Sequence, residues 1–438
     1  MGWALARSAR LGKQARLRLA RRRGVVRQHL GASWDALHRE LFVRPAGNLA
    51  ALDGIRALAA IAIVCYHASI WTALGVRPEM IGTLPAIRSF GFGWIGVDVF
   101  FVLSGFLIGR ILILHHTSLG SLKRFYLRRV CRIFPAYYVV LTLTLLIFSR
   151  LDVFRLLFHA QAWSQLAHRS WANYLYVSNY AYGHRGPNLM DWGWSLCIEE
   201  HFYLVFPLVL IWLNALDKRG RLFALTALVL VPSVLRIVAL SMHPGMNALY
   251  GVYDSSHTHC DGLLLGVLVA HVYVHYRAPL ARVLAAWPSL PAVLAVACFA
   301  VAVRWGGLLQ GGLGPVGFQF LMLALAAGAV VVNGLMVDNA LSRFLRLGIW
   351  YPIARVSYGL YLIHLFPLFL LRWAWPSAPA TSLLSFSLFL LTVLAISLLC
   401  AVALFFAVER PALRWGAMRW AAVPVLTEQR VADTGATS

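Results

Sequence analysis

Charged side chains are scarce in this sequence. Of its 438 residues, 60% are hydrophobic and only 13% are charged. A soluble domain carries about a quarter charged residues and needs them to cover its surface. The deficit therefore excludes an ordinary soluble domain and predicts that most of the chain lies in lipid.

Acidic residues are the scarcer sign, with 16 Asp and Glu against 39 Lys and Arg and a net charge of +23. Such an excess can indicate nucleic-acid binding, but its placement argues otherwise. Eleven of the 39 basic residues precede residue 49, and many others fall in short segments between apolar runs. This is the positive-inside pattern of membrane proteins, so we expect no nucleic-acid partner.

Cysteine pairs at metal-binding or redox spacing are also missing. The six cysteines lie scattered in apolar stretches, and no two have CxxC spacing. They are typical of small buried hydrophobic residues rather than of a disulfide framework or a zinc site. We predict no metal site.

Long apolar runs dominate what is present. A membrane-spanning helix needs about 20 apolar residues, and the sequence predicts an all-α, polytopic membrane helix bundle with about ten transmembrane helices. The predicted spans lie near residues 50–73, 91–114, 133–149, 194–214, 222–242, 258–276, 284–303, 316–337, 350–374 and 380–408.

Basic residues orient the predicted bundle. The segment 1–48 is basic and lacks a typical signal-peptide cleavage region, so we expect it to stay in the cytoplasm, as a solvated tail or a helix on the inner leaflet. The predicted outer loops 243–257 and 375–379 contain no Lys or Arg. Both termini are therefore predicted to be cytoplasmic, with a transmembrane domain over 49–411 and a short tail over 412–438.

Ionisable residues inside the predicted spans are candidates for function, because burying them in a bilayer is costly. Two histidines and three carboxylates lie about 5–15 Å below the predicted outer surface by the helical rise, and they could meet in one polar chamber. They are His67, Asp98, Glu199, Asp261 and His364.

A second, basic set lies nearer the predicted inner surface. Its members are Arg56, Arg110, Arg129, Arg132 and Arg355. This arrangement suits an anionic cytoplasmic substrate whose reactive end reaches upward. The alternatives are that single arginines extend to lipid headgroups and that His67 is a satisfied core residue. Arg56 and His67 are eleven residues apart, about three turns, so they share one face of the first helix.

Seven short segments in order over residues 51–411 resemble the integral-membrane acyltransferase family three, which modifies cell-surface polysaccharides. His201 stands where that family more often has glutamine. The segments are Leu52–Ala59 with Tyr66-His67, Gly96–Phe106, Arg129–Pro135, Trp194–Tyr203, Asp261–Gly266, Ser357–His364 and Glu409–Pro411.

The resemblance implies an O-acyltransferase in a bacterial inner membrane. It implies a cytoplasmic acyl-CoA donor, commonly acetyl-CoA, with no permanently bound cofactor, and a hydroxyl acceptor on an extracytoplasmic carbohydrate. Polysaccharide-assembly proteins would be further partners. The competing hypothesis is a transporter or flippase of a lipid-linked saccharide, since such proteins also bury His, Asp and Glu.

Candidate roles follow from this resemblance and from the depth of each residue. Coenzyme A is polyanionic, so Arg129 and Arg132 are predicted to bind its phosphates, with Arg56 further in. His67 is the predicted general base on the acceptor hydroxyl, and Glu199 or Asp98 would orient its ring.

Three neighbouring residues of the second predicted helix complete the candidate donor site. Ser104, Gly105 and Phe106 would line the path of the acyl group, or Ser104 and Gly105 would allow close helix packing. Transient acylation of a His or Ser is an alternative to direct transfer.

Overall fold

The structure is a computed structural model, and it describes residues 38–73, 90–114, 119–148, 167–181, 189–243, 249–305, 313–374 and 383–420. The chain forms two units, Met1–Asn48 and Leu49–Ser438. In the first unit the described part has a helical stretch at 38–42. The remainder of the predicted basic segment lies outside the described residues, as do residues 421–438 of the predicted tail.

The second unit is built from helices, and its described residues include no strand. The prediction of an all-α protein is therefore confirmed. The main helices are α1 (Ala50–Ala73), α2 (Gly96–Leu114), α3 (Leu119–Phe148), α4 (Trp194–Leu213), α5 (Lys218–Met242), α6 (Asp261–His275), α7 (Arg277–Ala286), α8 (Leu290–Arg304), α9 (Leu313–Met336), α10 (Ala340–Leu345), α11 (Trp350–Arg355), α12 (Ser357–Ile363), α13 (Leu365–Ala374), α14 (Leu383–Leu404) and α15 (Arg410–Trp420).

Short helical turns complete the described elements. Their bounds are Phe90–Ile95 and Asp191–Gly193 for the 3₁₀ turns, Trp171–Tyr174 and Ser178–Ala181 for the single-turn α-helices, and Leu249–Tyr253 and Phe405–Glu409 for the π-helical turns.

Seven helices of the described part are long and apolar enough to cross a membrane, or eight if α6 and α7, which meet at a 94° bend, form one broken span. Two of the ten predicted spans have a different form. The span predicted at 350–374 is divided into α11, α12 and α13, with breaks at Val356 and His364. The span predicted at 284–303 corresponds to α8, which has 15 residues.

The third helix also begins earlier than predicted. The predicted span begins near residue 133, whereas α3 begins at Leu119 and includes the arginines before that residue. Arg124, Arg128 and Arg132 recur every four residues, so they lie on one face of the helix.

Close packing of small residues positions the central helices. A Cβ on Gly105 of α2 would lie 2.0 Å from the carbonyl oxygen of Leu263 in α6. A Cβ on Gly266 of α6 would lie 2.2 Å from the carbonyl oxygen of Val102 in α2. The two backbones can approach this closely only because both residues lack side chains. This contact fixes α2 and α6 as a pair at the centre of the unit.

Contacts between helix termini define two ends of the unit. At the end that we call the His67 end, His67 near the end of α1 contacts His364, and Asp98 near the start of α2 contacts His259. At the opposite end, Gly54 packs against Leu345. We call this the arginine end, after the cavity arginines described below. The candidate site lies between these two ends.

Candidate active site

A cavity of about 790 Å³ extends from the arginine end toward the His67 end. This volume lies within the 300–1,000 Å³ typical of small-molecule sites. At the arginine end its wall includes Arg124, Arg128 and Gly416, and at the other end it reaches Ser195 and Tyr361. The cavity could therefore hold an elongated ligand with one end at each level.

Five arginines line this cavity: Arg56, Arg124, Arg128, Arg129 and Arg132. The three arginines that the sequence predicted for donor binding, Arg56, Arg129 and Arg132, are thus brought to one surface. The guanidinium of Arg129 lies over the rings of Phe125 and Tyr203, 5.7 and 5.3 Å from their centroids. Such stacking restrains a guanidinium and leaves its edge able to bind an anion.

A polar network lies in the same cavity wall. Glu199 accepts a hydrogen bond from the Ser104 hydroxyl at 3.3 Å and another from the Tyr203 hydroxyl. Ser104 and Tyr203 also bond to each other. Ser104 is therefore a cavity residue, as predicted for the donor path, and Glu199 faces the cavity together with the arginines.

The wall nearest the His67 end is formed by a hydrogen-bonded tyrosine. The Tyr361 hydroxyl is 2.6 Å from the Ser195 hydroxyl and donates to the carbonyl oxygen of Trp192. Tyr361 is also linked to the next layer, because its own carbonyl oxygen accepts a hydrogen bond from His364 at 2.7 Å. Tyr361 thus connects the end of the cavity to the histidines beyond it.

Two histidines from different helices meet at the His67 end. Nε2 of His364 lies 3.1 Å from Nδ1 of His67, and the ring centroids are 4.9 Å apart. Nδ1 of His67 is also 3.1 Å from the carbonyl oxygen of Ile63, one turn earlier in α1. His364 is fully buried, whereas His67 is partly exposed. His67 is the member of the pair that a substrate could reach.

The two carboxylates predicted to orient His67, Asp98 and Glu199, bond to other residues in the structure. Asp98 is buried and its Oδ1 lies 3.0 Å from Nε2 of His259, whose Nδ1 bonds to the carbonyl oxygen of Tyr253. Glu199 bonds to the cavity residues described above. Within the described part of the chain, neither carboxylate contacts His67. The hydrogen-bond partner of His67 is instead the imidazole of His364.

Asp261 has a structural partner as well. Its carboxylate forms a bidentate ion pair with Arg236, with N···O distances of 2.7 and 2.8 Å, and both side chains are fully buried. Arg236 also donates to the carbonyl oxygens of Gly317 and Thr258. This pair ties α5, α6 and α9 together near the His67 end and leaves Asp261 without a free carboxylate.

Gly105 and Phe106 do not line the cavity. Gly105 contacts α6, and Phe106 is fully buried with its ring packed edge-on against Tyr273. Both residues face α6, on the side away from the cavity, so the structure does not place them on the predicted donor path. The close-packing alternative for Gly105 is the one that the geometry supports.

The last helix contributes to the cavity beyond the predicted domain boundary at residue 411. A π-helical turn at Phe405–Glu409 connects α14 to α15, and Leu413, Gly416 and Ala417 of α15 line the cavity. Residues 412–420 therefore belong to the folded unit rather than to a separate tail. Glu409 is buried near Arg132, so a carboxyl group neighbours a cavity arginine.

An acidic residue outside the spans has an altered ionisation. Burial raises the pKa of Asp254 to about 8, and the nearby charge of Asp191 adds to this rise. The folded protein then keeps a proton that the unfolded chain releases near pH 4. Because of this difference, unfolding becomes easier as the pH rises from about 4 to 8.

Several residues of the site were missed by sequence reasoning. Arg236 and His259 lie inside predicted spans, so the rule that marked Asp98 and Asp261 could have marked them also. Tyr203 and Tyr361 carry no charge and are common in membrane helices, so no comparable signal singles them out.

The family model described as an acyltransferase domain, the type-three acyltransferase family, matches residues 49–406. The chain belongs to this family, which places it among membrane acyltransferases. It is similar to the peptidoglycan O-acetyltransferase OatA of Listeria monocytogenes, with 28% identity over 331 residues, covering 72% of this chain and 48% of the relative. It is also similar to the O-acetyltransferase OatA of Staphylococcus aureus, with 27% identity over 333 residues, 72% of this chain and 50% of the relative.

A third relative is a putative O-acetyltransferase of Staphylococcus aureus strain COL, which is 30% identical over 242 residues, 52% of this chain and 35% of the relative. The chain spans about half the length of the OatA proteins that it matches. No solved structure matches the chain.

Proposed function

We propose that this protein is a membrane O-acyltransferase that moves an acyl group, acetyl by family resemblance, from acyl-CoA to a hydroxyl of a carbohydrate. The observation that carries the proposal is one cavity with five arginines toward one end and, just beyond its other end, a partly exposed histidine held by a second histidine. Membrane acyltransferase family membership and O-acetyltransferase relatives support it.

The arginine end is assigned to the donor. Coenzyme A carries phosphate groups, and guanidinium groups form strong charge-assisted hydrogen bonds with phosphate. Arg129 and Arg132, with Arg56 deeper in the cavity, would hold these phosphates. The pantetheine arm would then run along Ser104 toward Tyr361, and the cavity lining would shield the thioester from water.

The His67 end is assigned to the acceptor. His67 takes the proton of the acceptor hydroxyl as its oxygen attacks the thioester carbonyl carbon. The new C–O ester bond forms, the C–S bond breaks, and the proton passes to the departing thiolate, so that the products are an O-acyl carbohydrate and free coenzyme A. Because Glu199 lines the donor cavity, we assign it to the leaving-group side of this reaction rather than to His67.

The sides of the membrane follow from the same assignment. Acyl-CoA is a cytoplasmic metabolite, so the arginine end faces the cytoplasm and the His67 end faces outward, in a bacterial inner membrane. Both termini of the chain are then cytoplasmic. This orientation agrees with the abundance of basic residues at the arginine end.

A comparison of surface glycans tests the proposed function. A deletion strain should lack one acyl ester on a surface glycan, and the wild-type gene should restore it. A polymer of unchanged length without the ester supports an acyltransferase. An unchanged ester content with a missing or shortened polymer would instead indicate a transporter of a lipid-linked saccharide.

A further inference from the structure

The contact between His67 and His364 fixes where each ring carries its proton. His364 occupies the break between α12 and α13, where its Nδ1 lies 2.7 Å from the carbonyl oxygen of Tyr361. A carbonyl oxygen only accepts hydrogen bonds, so Nδ1 of His364 is the donor and carries a proton. A neutral imidazole has a single N–H, so Nε2 of His364 presents a lone pair.

The lone pair on His364 and the carbonyl oxygen of Ile63 together determine the tautomer of His67. Nδ1 of His67 lies 3.1 Å from this nitrogen and 3.1 Å from the carbonyl oxygen of Ile63. Both neighbours are acceptors, so Nδ1 of His67 must carry the proton. Nε2 of His67 is then unprotonated, and it bonds to no other residue that the structure describes.

We propose that His364 is a positioning residue that holds His67 in the tautomer with a free Nε2 base. This inference rests on the proposed function. His364 itself cannot be the base, because both of its nitrogens are bonded within the protein and its side chain is fully buried. His67 keeps partial exposure and has one nitrogen available for a substrate.

The same contact stabilises the charged form of His67. When Nε2 takes the acceptor proton, the imidazolium donates from Nδ1 to His364 through a charge-assisted bond, which is stronger than the neutral one. His364 thereby fills the role that a carboxylate has in a catalytic triad. A neutral imidazole costs less to bury in a bilayer than a carboxylate, which gives a physical reason for this arrangement.

Two amide substitutions separate positioning from packing. The end of a glutamine side chain reaches the place of Nε2, so His364→Gln can still accept the hydrogen bond from His67. An asparagine amide reaches only the place of Nδ1, so His364→Asn can still donate to Tyr361 but leaves Nδ1 of His67 with the Ile63 carbonyl as its one remaining acceptor among the described residues. Both variants lose the ring, so a purely structural role would affect both alike.

The experiment measures acyl-CoA-dependent thiol release in membranes, with envelope glycans from the deletion strain as acceptor. We expect His364→Asn to lower kcat about 10- to 100-fold, the loss expected when one hydrogen bond to a group that becomes charged in the transition state is removed. The KM for acyl-CoA should not change, because the lost interaction acts only on the reacting group. His364→Gln should retain most of the wild-type kcat.

The pH profile gives a second readout between about pH 5 and 9. With one acceptor fewer for its charged form, His67 is protonated less readily, so the acid limb of the His364→Asn profile should move to lower pH, whereas that of His364→Gln should not. Equal losses in both variants, or a loss confined to protein abundance, would overturn the positioning role while leaving the proposed function intact. If wild-type membranes released no thiol, the proposed function itself would fail.

Discussion

Replacing Arg129 with alanine should weaken coenzyme A binding by about 10- to 100-fold. Arg129 lines the cavity and is restrained by two aromatic rings. A hydrogen bond to a charged group contributes about 1.5–3 kcal/mol, and each 1.4 kcal/mol changes the dissociation constant about tenfold. The loss therefore corresponds to one arginine–phosphate contact. Arg129→Lys keeps the charge but loses the planar fork, so its effect should be smaller.

Titration calorimetry of the purified protein in detergent measures this effect, with coenzyme A as the ligand. This assay needs no knowledge of the acceptor. Arg343→Ala is the matched control, because it removes one positive charge from an exposed side chain that pairs with Asp338 and lies outside the cavity lining. Added salt should also weaken wild-type binding more than that of Arg129→Ala, since ions screen charge pairs.

An unchanged dissociation constant in Arg129→Ala would show that Arg129 does not bind coenzyme A. Equal weakening in Arg343→Ala would also contradict this role of Arg129, because the effect would then reflect the net charge of the protein. Equal affinity in all variants would mean that the arginine-lined cavity does not take the anionic donor.

Three further substitutions test the fold around the site by thermal unfolding in detergent. Gly105→Ala should destabilise the protein by about 1–3 kcal/mol as overpacking does, whereas Gly314→Ala, where a Cβ meets open space, should not; equal midpoints would contradict the close helix contact. Arg236→Met should cost about 3–5 kcal/mol, because it leaves a buried carboxylate unpaired; a stable variant would show that the ion pair is dispensable. Asp254→Asn should have the same free energy of unfolding as the wild type near pH 4 and become more stable than the wild type as the pH rises to 8, by about 1.4 kcal/mol per pKa unit. The exposed control Asp338→Asn should show no such gain. Parallel stability curves for Asp254→Asn and the wild type would contradict the raised pKa of Asp254.

The cost of burying charge in lipid accounts for much of what the sequence could predict. It marked His67, Glu199 and Arg56 as interior residues; the structure places Glu199 and Arg56 in the cavity wall and His67 at the end beyond the cavity. Apolar length predicted most of the long helices for the same reason. These rules depend only on the local sequence, so they need no knowledge of which helices are neighbours.

Pairing between helices could not be predicted in this way. Asp98 and Glu199 lie at a depth similar to His67, but depth does not define the direction in which each side chain points. The helix break at His364 and the α2–α6 contact decide that His364, rather than a carboxylate, meets His67. Gly105 and Phe106 were assigned to the donor path by their place in a motif, while the packing of α2 turns them toward α6.

His67 is the proposed base of the acyl transfer, and thiol release coupled to ester formation tests this role. Membranes containing wild-type protein, His67→Ala or a control variant are supplied with acetyl-CoA and envelope glycans from the deletion strain. The control is His257→Ala, because His257 is exposed, contacts the Tyr180 hydroxyl and does not line the cavity. We expect wild type and His257→Ala to release thiol and to form one new ester in equal amounts. At equal abundance, His67→Ala should neither release thiol nor form the ester. Full activity in His67→Ala would contradict the role of His67 as the base.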